Sequence, residues 1–198
     1  MGFDYSYEIF IPARNVARAL TELAELAPTT GRQPTIPVTL PGGDQVVLPF
    51  TSHFKSEPVD CSTSRTLDLD TTIVFGVDDA VREFLGTHHR EPDERGRVAI
   101  GYIYLTVRFA TRWHPDYASL DFTAATTGMS LAFERSASIR AVFNGLTAAS
   151  GGVCCVLDTE RATRQICWLN GEPMQEAVPG SLFAGYYDLA ASWPAQDP

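Results

Sequence analysis

Apolar and polar residues alternate through the middle of the chain, and from Val98 to Thr126 this pattern predicts two long strands. A period of two is typical of a strand with one buried face. In the first strand, one predicted face carries Ala99, Gly101, Ile103, Leu105, Val107 and Phe109, and the other carries Tyr102, Tyr104, Thr106 and Arg108. In the second strand, Ala118, Leu120, Phe122 and Ala124 share one face, and Ser119, Asp121 and Thr123 share the other.

These two strands are predicted to form an antiparallel hairpin around the loop 110–116. The register that satisfies both patterns places Arg108 opposite Ser119. The same register pairs Thr106 with Asp121, Tyr104 with Thr123, and Leu105 with Phe122. A slip by one residue would move every apolar side chain to the polar face, so the pattern specifies this register strongly.

Further strands and helices are predicted on both sides of the hairpin. The strands are expected at 3–11, 36–40, 46–50, 67–75, 153–158 and 165–169, and helical apolar stripes run from Val16 to Ala27, Val81 to Leu85 and Ala132 to Leu146. Prolines within 34–49 remove hydrogen-bond donors, so that hairpin is expected at a sheet edge or outside the sheet. The polar stretch 51–65 is expected to be a loop, and 182–190 a short amphipathic helix.

The order strand, helix, strand, strand recurs around each helix, which predicts an α+β fold. We expect a mostly antiparallel sheet with about three helices packed on one face. The length of 198 residues favours a single globular domain over 1–198, with possible sub-modules at 1–50, 66–126 and 127–175 and a C-terminal extension at 176–198. In topology alone, this order resembles the duplicated strand-helix-strand-strand modules of small-molecule-binding regulatory domains.

The formal net charge of −9 restricts the classes of partner. Non-specific nucleic-acid binding needs clustered basic residues, and so does docking on anionic lipid, so neither partner is expected. No apolar run approaches the roughly 18 residues that a membrane helix needs. We therefore expect a cytoplasmic protein whose partner is a small molecule or another protein.

The sequence contains none of the strong motifs for nucleotide binding, hydrolase nucleophiles or metal sites, and we expect no catalytic residue, metal or cofactor. Asp68 and Asp70 are interpreted as lying on the solvent-exposed face of a strand. The adjacent pair His88 and His89 is interpreted as part of a solvated loop, because neighbouring residues on an extended chain point apart. Four cysteines are expected to be packed thiols, although Cys154 and Cys167 are predicted to share a face, where a disulfide would need favourable geometry.

The polar face of the central hairpin is the best candidate for a ligand site. Five side chains are predicted to project from it, namely Tyr102, Tyr104, Arg108, Asp121 and Thr123. Tyrosine offers a flat apolar surface with a hydroxyl group, arginine can clamp an anion, and a carboxylate can hold an amine or the arginine itself. The alternative is the ordinary solvent-exposed face of an antiparallel sheet.

The hairpin loop carries Arg112, Trp113 and His114, residue types that favour partner recognition. Trp113 has a second interpretation, in which it folds back to cover the end of the core. Glu134 would qualify as an acid or base only if it were buried in a cleft near the polar face.

Three functional hypotheses follow from these features. The first is a non-catalytic protein that binds a small molecule or peptide on the polar-aromatic face, with a regulatory role. The second is an acidic interaction protein of the immunity or inhibitor type, which neutralises a basic protein partner. The third is an enzyme whose site carries no recognised motif.

Overall fold

The fold was examined in a computed structural model that describes residues 2–29, 31, 33–86, 92–179 and 185–195. The strands are β1 Ser6–Pro12, β2 Ile36–Thr39, β3 Gln45–Leu48, β4 Val59–Asp60, β5 Thr66–Gly76, β6 Arg97–Arg108, β7 Tyr117–Thr123, β8 Cys154–Asp158, β9 Thr163–Leu169 and β10 Glu172–Pro179. The helices are α1 Val16–Ala24, α2 Asp79–Gly86, α3 Thr127–Arg135, α4 Ala137–Ala149 and α5 Gly185–Ala191, and a 3-10 turn, Ala13–Asn15, precedes α1.

Seven strands form one antiparallel sheet, in the order β10-β9-β8-β1-β7-β6-β5. The proline-rich hairpin β2–β3 lies outside this sheet, as its missing donors predict, and it joins β4 in a small second sheet. The α+β class and the mostly antiparallel sheet are therefore confirmed, although the described part of the chain holds five helices and not about three.

The apolar core lies between the main sheet and helices α1 to α4. Odd-numbered residues of β1 point into it, and Tyr7, Ile9 and Ile11 are fully buried there. The even-numbered Phe10 belongs to a second apolar cluster on the opposite face, where it contacts Trp193 with ring centroids 4.7 Å apart. The segment containing α5 thus covers part of the face that the first four helices leave open.

The register predicted for the central hairpin is confirmed at all four positions. Arg108 pairs with Ser119, Thr106 with Asp121, Tyr104 with Thr123, and Leu105 with Phe122. The polar residues of both strands therefore share one face of the sheet, opposite the helical core.

The predicted faces of β6 are wrong for its first half. Val98 and Ile100 are buried there, in place of Ala99 and Gly101. The cause is a β-bulge against β5, at which Tyr102 takes a left-handed conformation with φ of 59°. One extra residue reverses the alternation of faces, and periodicity alone does not reveal where such a residue is inserted.

The predicted placement of Cys154 and Cys167 on one face is also wrong, again because of a register shift between strands. Cys154 lies in the second apolar cluster, whereas Cys167 lies in the helix-side core with Cys155. A register shift between β8 and β9 puts Cys154 and Cys167 on opposite faces of the sheet. All four cysteines are buried free thiols, and burial raises the pKa of Cys154.

The third predicted helix is two helices, α3 and α4, separated by Ser136. This residue has extended backbone angles, and its side chain caps α4 by accepting from the amide of Ile139. Its hydroxyl group also donates to Asp78 Oδ2 over 2.7 Å. Asp78 accepts further from the amides of Ser138 and Val81, so one carboxylate caps the starts of α2 and α4 together.

Replacing Asp78 by asparagine should therefore loosen two helix starts. The amide nitrogen of asparagine cannot accept the hydrogen bonds that one carboxylate oxygen accepts. We therefore expect D78N to lower the free energy of unfolding at pH 7 by about 1–2 kcal/mol, as measured by urea titration. Among the described residues, the exposed neighbour Asp79 forms an ion pair with Arg82 across the helix surface, so D79N is the matched control and should cost less than about 1 kcal/mol. Equal losses in the two variants would contradict this role.

The effect of D78N should also depend on pH. Partial burial acts to raise the pKa of Asp78, but hydrogen bonds from Ser138, Val81 and Ser136 outweigh it and hold the pKa below its ordinary value. A lowered folded-state pKa stabilises the fold above the unfolded-state pKa, and this stabilisation is lost as the pH falls. The difference between wild type and D78N should therefore shrink in urea titrations repeated at progressively lower pH, whereas a constant difference would contradict this.

Candidate functional site

A cavity of about 450 Å³ opens on the face of the main sheet opposite α1 to α4, and we call it the charged cavity. It is lined by Ser6, Glu8, Arg108, Ala110, Thr111, Arg112, Trp113, Ser119, Asp121, Asp158 and Arg164. These residues come from β1, β6, β7, β8, β9 and the loop of the central hairpin, so the cavity depends on the main sheet being assembled.

Two carboxylates face each other at the centre of this cavity. Glu8 on β1 pairs directly with Asp121 on β7 in the antiparallel register, and both strands lie in the interior of the sheet. Their side chains are only 15% and 22% exposed. Like charges on directly opposed residues destabilise a sheet, and burial increases the cost.

Two arginines offset this repulsion. Arg108 Nη1 lies 3.3 Å from Asp121 Oδ2 and 3.8 Å from Glu8 Oε1, so it bridges the two acids. Arg164 approaches from the other side, with Nη1 3.7 Å from Glu8 Oε2, and it also forms an ion pair with Asp158. The cavity floor is therefore an alternating network of three carboxylates and two guanidinium groups.

The protonation of Glu8 is sensitive to this setting. Burial, with a further contribution from the charge of Asp121, raises the pKa of Glu8 to about 7, against the opposing effects of Arg164, Arg108 and the Ser119 hydroxyl. Near neutral pH, Glu8 is thus divided between its acid and carboxylate forms. Asp121 Oδ1 is fully buried and has no hydrogen-bond partner among the described residues.

The rim of the cavity is formed by the loop of the central hairpin. The guanidinium carbon of Arg112 lies 4.0 Å from the ring centroid of Trp113, within the range of a cation–π contact. Trp113 also packs against the second apolar cluster and meets the ring of Tyr187 edge-on. Trp113 therefore covers the core edge and lines the cavity at once. His114 belongs to the same loop but does not line the cavity, and its ring centroid lies 4.9 Å from that of Tyr117.

The five side chains predicted to form a site lie on one face but not in one cavity. Arg108 and Asp121 line the charged cavity. Tyr102 and Tyr104 lie further along β6, where both contact the ring of Phe54. Thr123 is half-buried between its neighbours on β1 and β6.

Sequence reasoning missed Glu8, Asp158 and Arg164, which complete the charged network. The alternation in the strand predicted at 3–11 puts Glu8 on the polar side with Asp4 and Ser6 and does not mark it as a site residue. One signal was present, since residues 9–11 are apolar on both faces, which is typical of a strand covered on both sides. An acid next to such a run lies close to a buried region. The partners on β8 and β9 depend on strand order, which the pattern does not contain.

The remaining candidates do not converge on a second chemical centre. Glu134 forms an exposed ion pair with Arg161 and lies outside the charged cavity. His88 and His89 lie outside the described residues. Within the described ranges, no group of three or more His, Cys, Asp and Glu side chains has an arrangement that could hold a metal ion. No helix in the same ranges is both long and apolar enough to cross a membrane.

Comparisons of this chain with protein-family models, with curated proteins and with solved structures gave no match.

The raised pKa of Glu8 predicts a distinctive pH dependence of stability. A carboxyl group with a raised folded-state pKa stabilises the fold below its unfolded-state pKa, and this contribution is lost as the pH rises through the folded value. The stability of wild type relative to E8Q should therefore fall between pH 4.5 and about 7 and then level off. Urea titrations across this range measure the difference.

The matched control for this experiment is E134Q, which changes a half-buried acid on α3 that pairs with Arg161 outside the charged cavity. Its stability should follow that of wild type across the same pH range. If E8Q and wild type differ by a constant amount at every pH, Glu8 does not titrate near neutrality.

Proposed function

We propose that this protein is a non-catalytic binding protein with a regulatory role, and that it holds a small polar molecule in the charged cavity. The observation that carries the proposal is the buried Glu8–Asp121 pair bridged by Arg108. A purely structural role explains it poorly, because replacing a buried ion network by apolar residues is often neutral or stabilising.

The arrangement favours a ligand with both an anionic group and an amino group. Arg108, Arg112 and Arg164 line the cavity and can pair with a carboxylate or phosphate. The carboxylates of Asp121 and Asp158 also line the cavity and can accept from an ammonium group. A zwitterion of this type would leave the balance of charges in the cavity unchanged, which limits the cost of burying it.

The cavity also distinguishes this proposal from the immunity or inhibitor hypothesis. An acidic interaction surface calls for carboxylates gathered on a flat patch, whereas the acids of the charged cavity are recessed and interleaved with arginines. These features favour a small ligand over a broad protein interface at this position.

Acid–base catalysis in the same cavity is a second candidate function. It is favoured by the carboxylate pair, in which Glu8 has a pKa of about 7 while Asp121 is held beside an arginine. Acid–base enzymes place one protonated and one ionised group side by side in this way. Within the described residues no histidine lines the cavity, and the described lining includes no cysteine.

The binding proposal is tested by thermal-shift measurements with defined zwitterions, namely the standard L-amino acids, phosphoethanolamine and taurine. At least one should raise Tm, because a ligand at 100 times its Kd stabilises a protein by about 2.7 kcal/mol. The shift should be lost in R108A and in D121N. It should persist in R82A, which removes an exposed arginine from α2.

Circular dichroism shows whether R108A still folds. As a second control, R112A removes an exposed arginine from the rim and should weaken binding without unfolding the chain. If none of the zwitterions shifts Tm, or if the shifts are the same in all variants, the binding proposal fails. Conversion of a bound zwitterion, followed by proton NMR, would favour catalysis over simple binding.

A further inference from the structure

We propose that the open sheet face carries a second site, which docks a basic segment of a partner polypeptide. The site is the aromatic cluster, defined as Phe54, Tyr102 and Tyr104. Arginine or lysine side chains of the partner would lie against these rings. This inference is independent of the charged cavity, since none of the three residues lines it.

The aromatic cluster is unusually exposed for its size. Phe54 is 62% exposed, Tyr102 60% and Tyr104 42%. The Phe54 ring meets the two tyrosine rings edge-on, with centroids 5.8 Å and 6.5 Å apart. Exposed apolar side chains scattered singly are normal, but a contiguous group marks an interaction surface. Aromatic faces attract guanidinium and ammonium groups through their quadrupoles.

The backbone beneath the cluster is held in an unfavourable conformation. His53, Phe54 and Tyr102 all have left-handed backbones, with φ of 50°, 59° and 59°. His53 and Phe54 form a two-residue turn closed by mutual hydrogen bonds between Ser52 and Lys55, a geometry that favours Asn-Gly. Strained residues of this type concentrate at functional sites. Glycine at these positions would relieve the strain but would remove the rings.

One carboxylate fixes the position of Phe54. Asp70 Oδ2 accepts from the amide of Phe54 over 2.6 Å and from Thr51 Oγ1 over 3.0 Å. The turn is therefore anchored to β5 before any partner arrives. A ring that is already ordered loses less conformational entropy on binding than a mobile one.

Two cavities flank Phe54 and indicate the chemistry of the partner. The first, of about 310 Å³, combines Phe54 and Tyr104 with Asp68 and Asp70, a lining that suits an organic cation. The second, of about 420 Å³, combines Phe54, Tyr102 and two prolines with Asp70 and several polar residues, a mixed lining that can take an apolar side chain against its rings. The chain's net charge of −9 would attract a basic partner from a distance.

The two cavities together favour a polypeptide over a free cation. In an extended chain, side chains at i and i+2 point the same way and are about 7 Å apart, so one peptide can fill both sides of Phe54. A small cation would fill only one of the two cavities.

The test uses the full chain and a fluorescein-labelled peptide with the repeat Arg-Ser-Leu-Ser, which places arginine and leucine at i and i+2. Binding is measured by fluorescence anisotropy. We expect this peptide to bind at least about tenfold tighter than the same peptide with glutamine in place of arginine. F54G and, separately, Y104L should each weaken binding by about fivefold or more. V47A removes an exposed apolar side chain from β3, outside the cluster, and should leave binding unchanged.

A stability measurement separates docking from a structural role. The double variant H53N/F54G supplies the Asn-Gly turn, so Tm should rise by about 2–5 °C while peptide binding falls. Equal binding of the arginine and glutamine peptides, or binding insensitive to F54G and Y104L, would overturn the proposal. So would free arginine amide that binds as tightly as the peptide, because it would assign the site to a small cation.

Discussion

The placement of Glu8 opposite Asp121 in the middle of the sheet is the constraint on which the candidate site depends. Antiparallel pairing forces the two side chains onto one face, and the interior position of β1 and β7 keeps them largely from water. Their repulsion is tolerated only because neighbouring strands bring Arg108 and Arg164 within ion-pair distance. Register and strand order together therefore create the charged cavity.

The two faces of the main sheet differ in what covers them. Helices α1 to α4 cover one face and bury the larger apolar core. On the other face, the segment with α5 covers Phe10, and the charged cavity lies over the earlier part of β1, at Ser6 and Glu8. Beyond it on β6 lie the exposed tyrosines. The uncovered part of this face thus combines a polar recess and an aromatic surface, which suit ligands of different chemistry.

Local patterns predicted the class of fold and the central register, because alternation and turn residues are properties of neighbouring positions. They failed at Tyr102, where one inserted residue reverses which side chains of β6 are buried. They failed also at Ser136, where a serine that caps α4 divides one predicted helix into two. Two of the five residues in the charged network, Arg108 and Asp121, were predicted to share a face because they lie on one hairpin. Glu8 and Arg164 lie on strands that are far apart in the sequence, and their contact depends on the order of strands in the sheet.

The most direct test of the account is a ¹³C NMR titration of the Glu8 side-chain carboxyl in wild type and in D121N. The burial of Glu8 beside Asp121 predicts a midpoint of about 7 in wild type. It also predicts a lower midpoint in D121N, because the opposing charge is removed while burial is retained. A wild-type midpoint near 4.5, unchanged in D121N, would show that the two carboxyl groups do not face each other in a buried site.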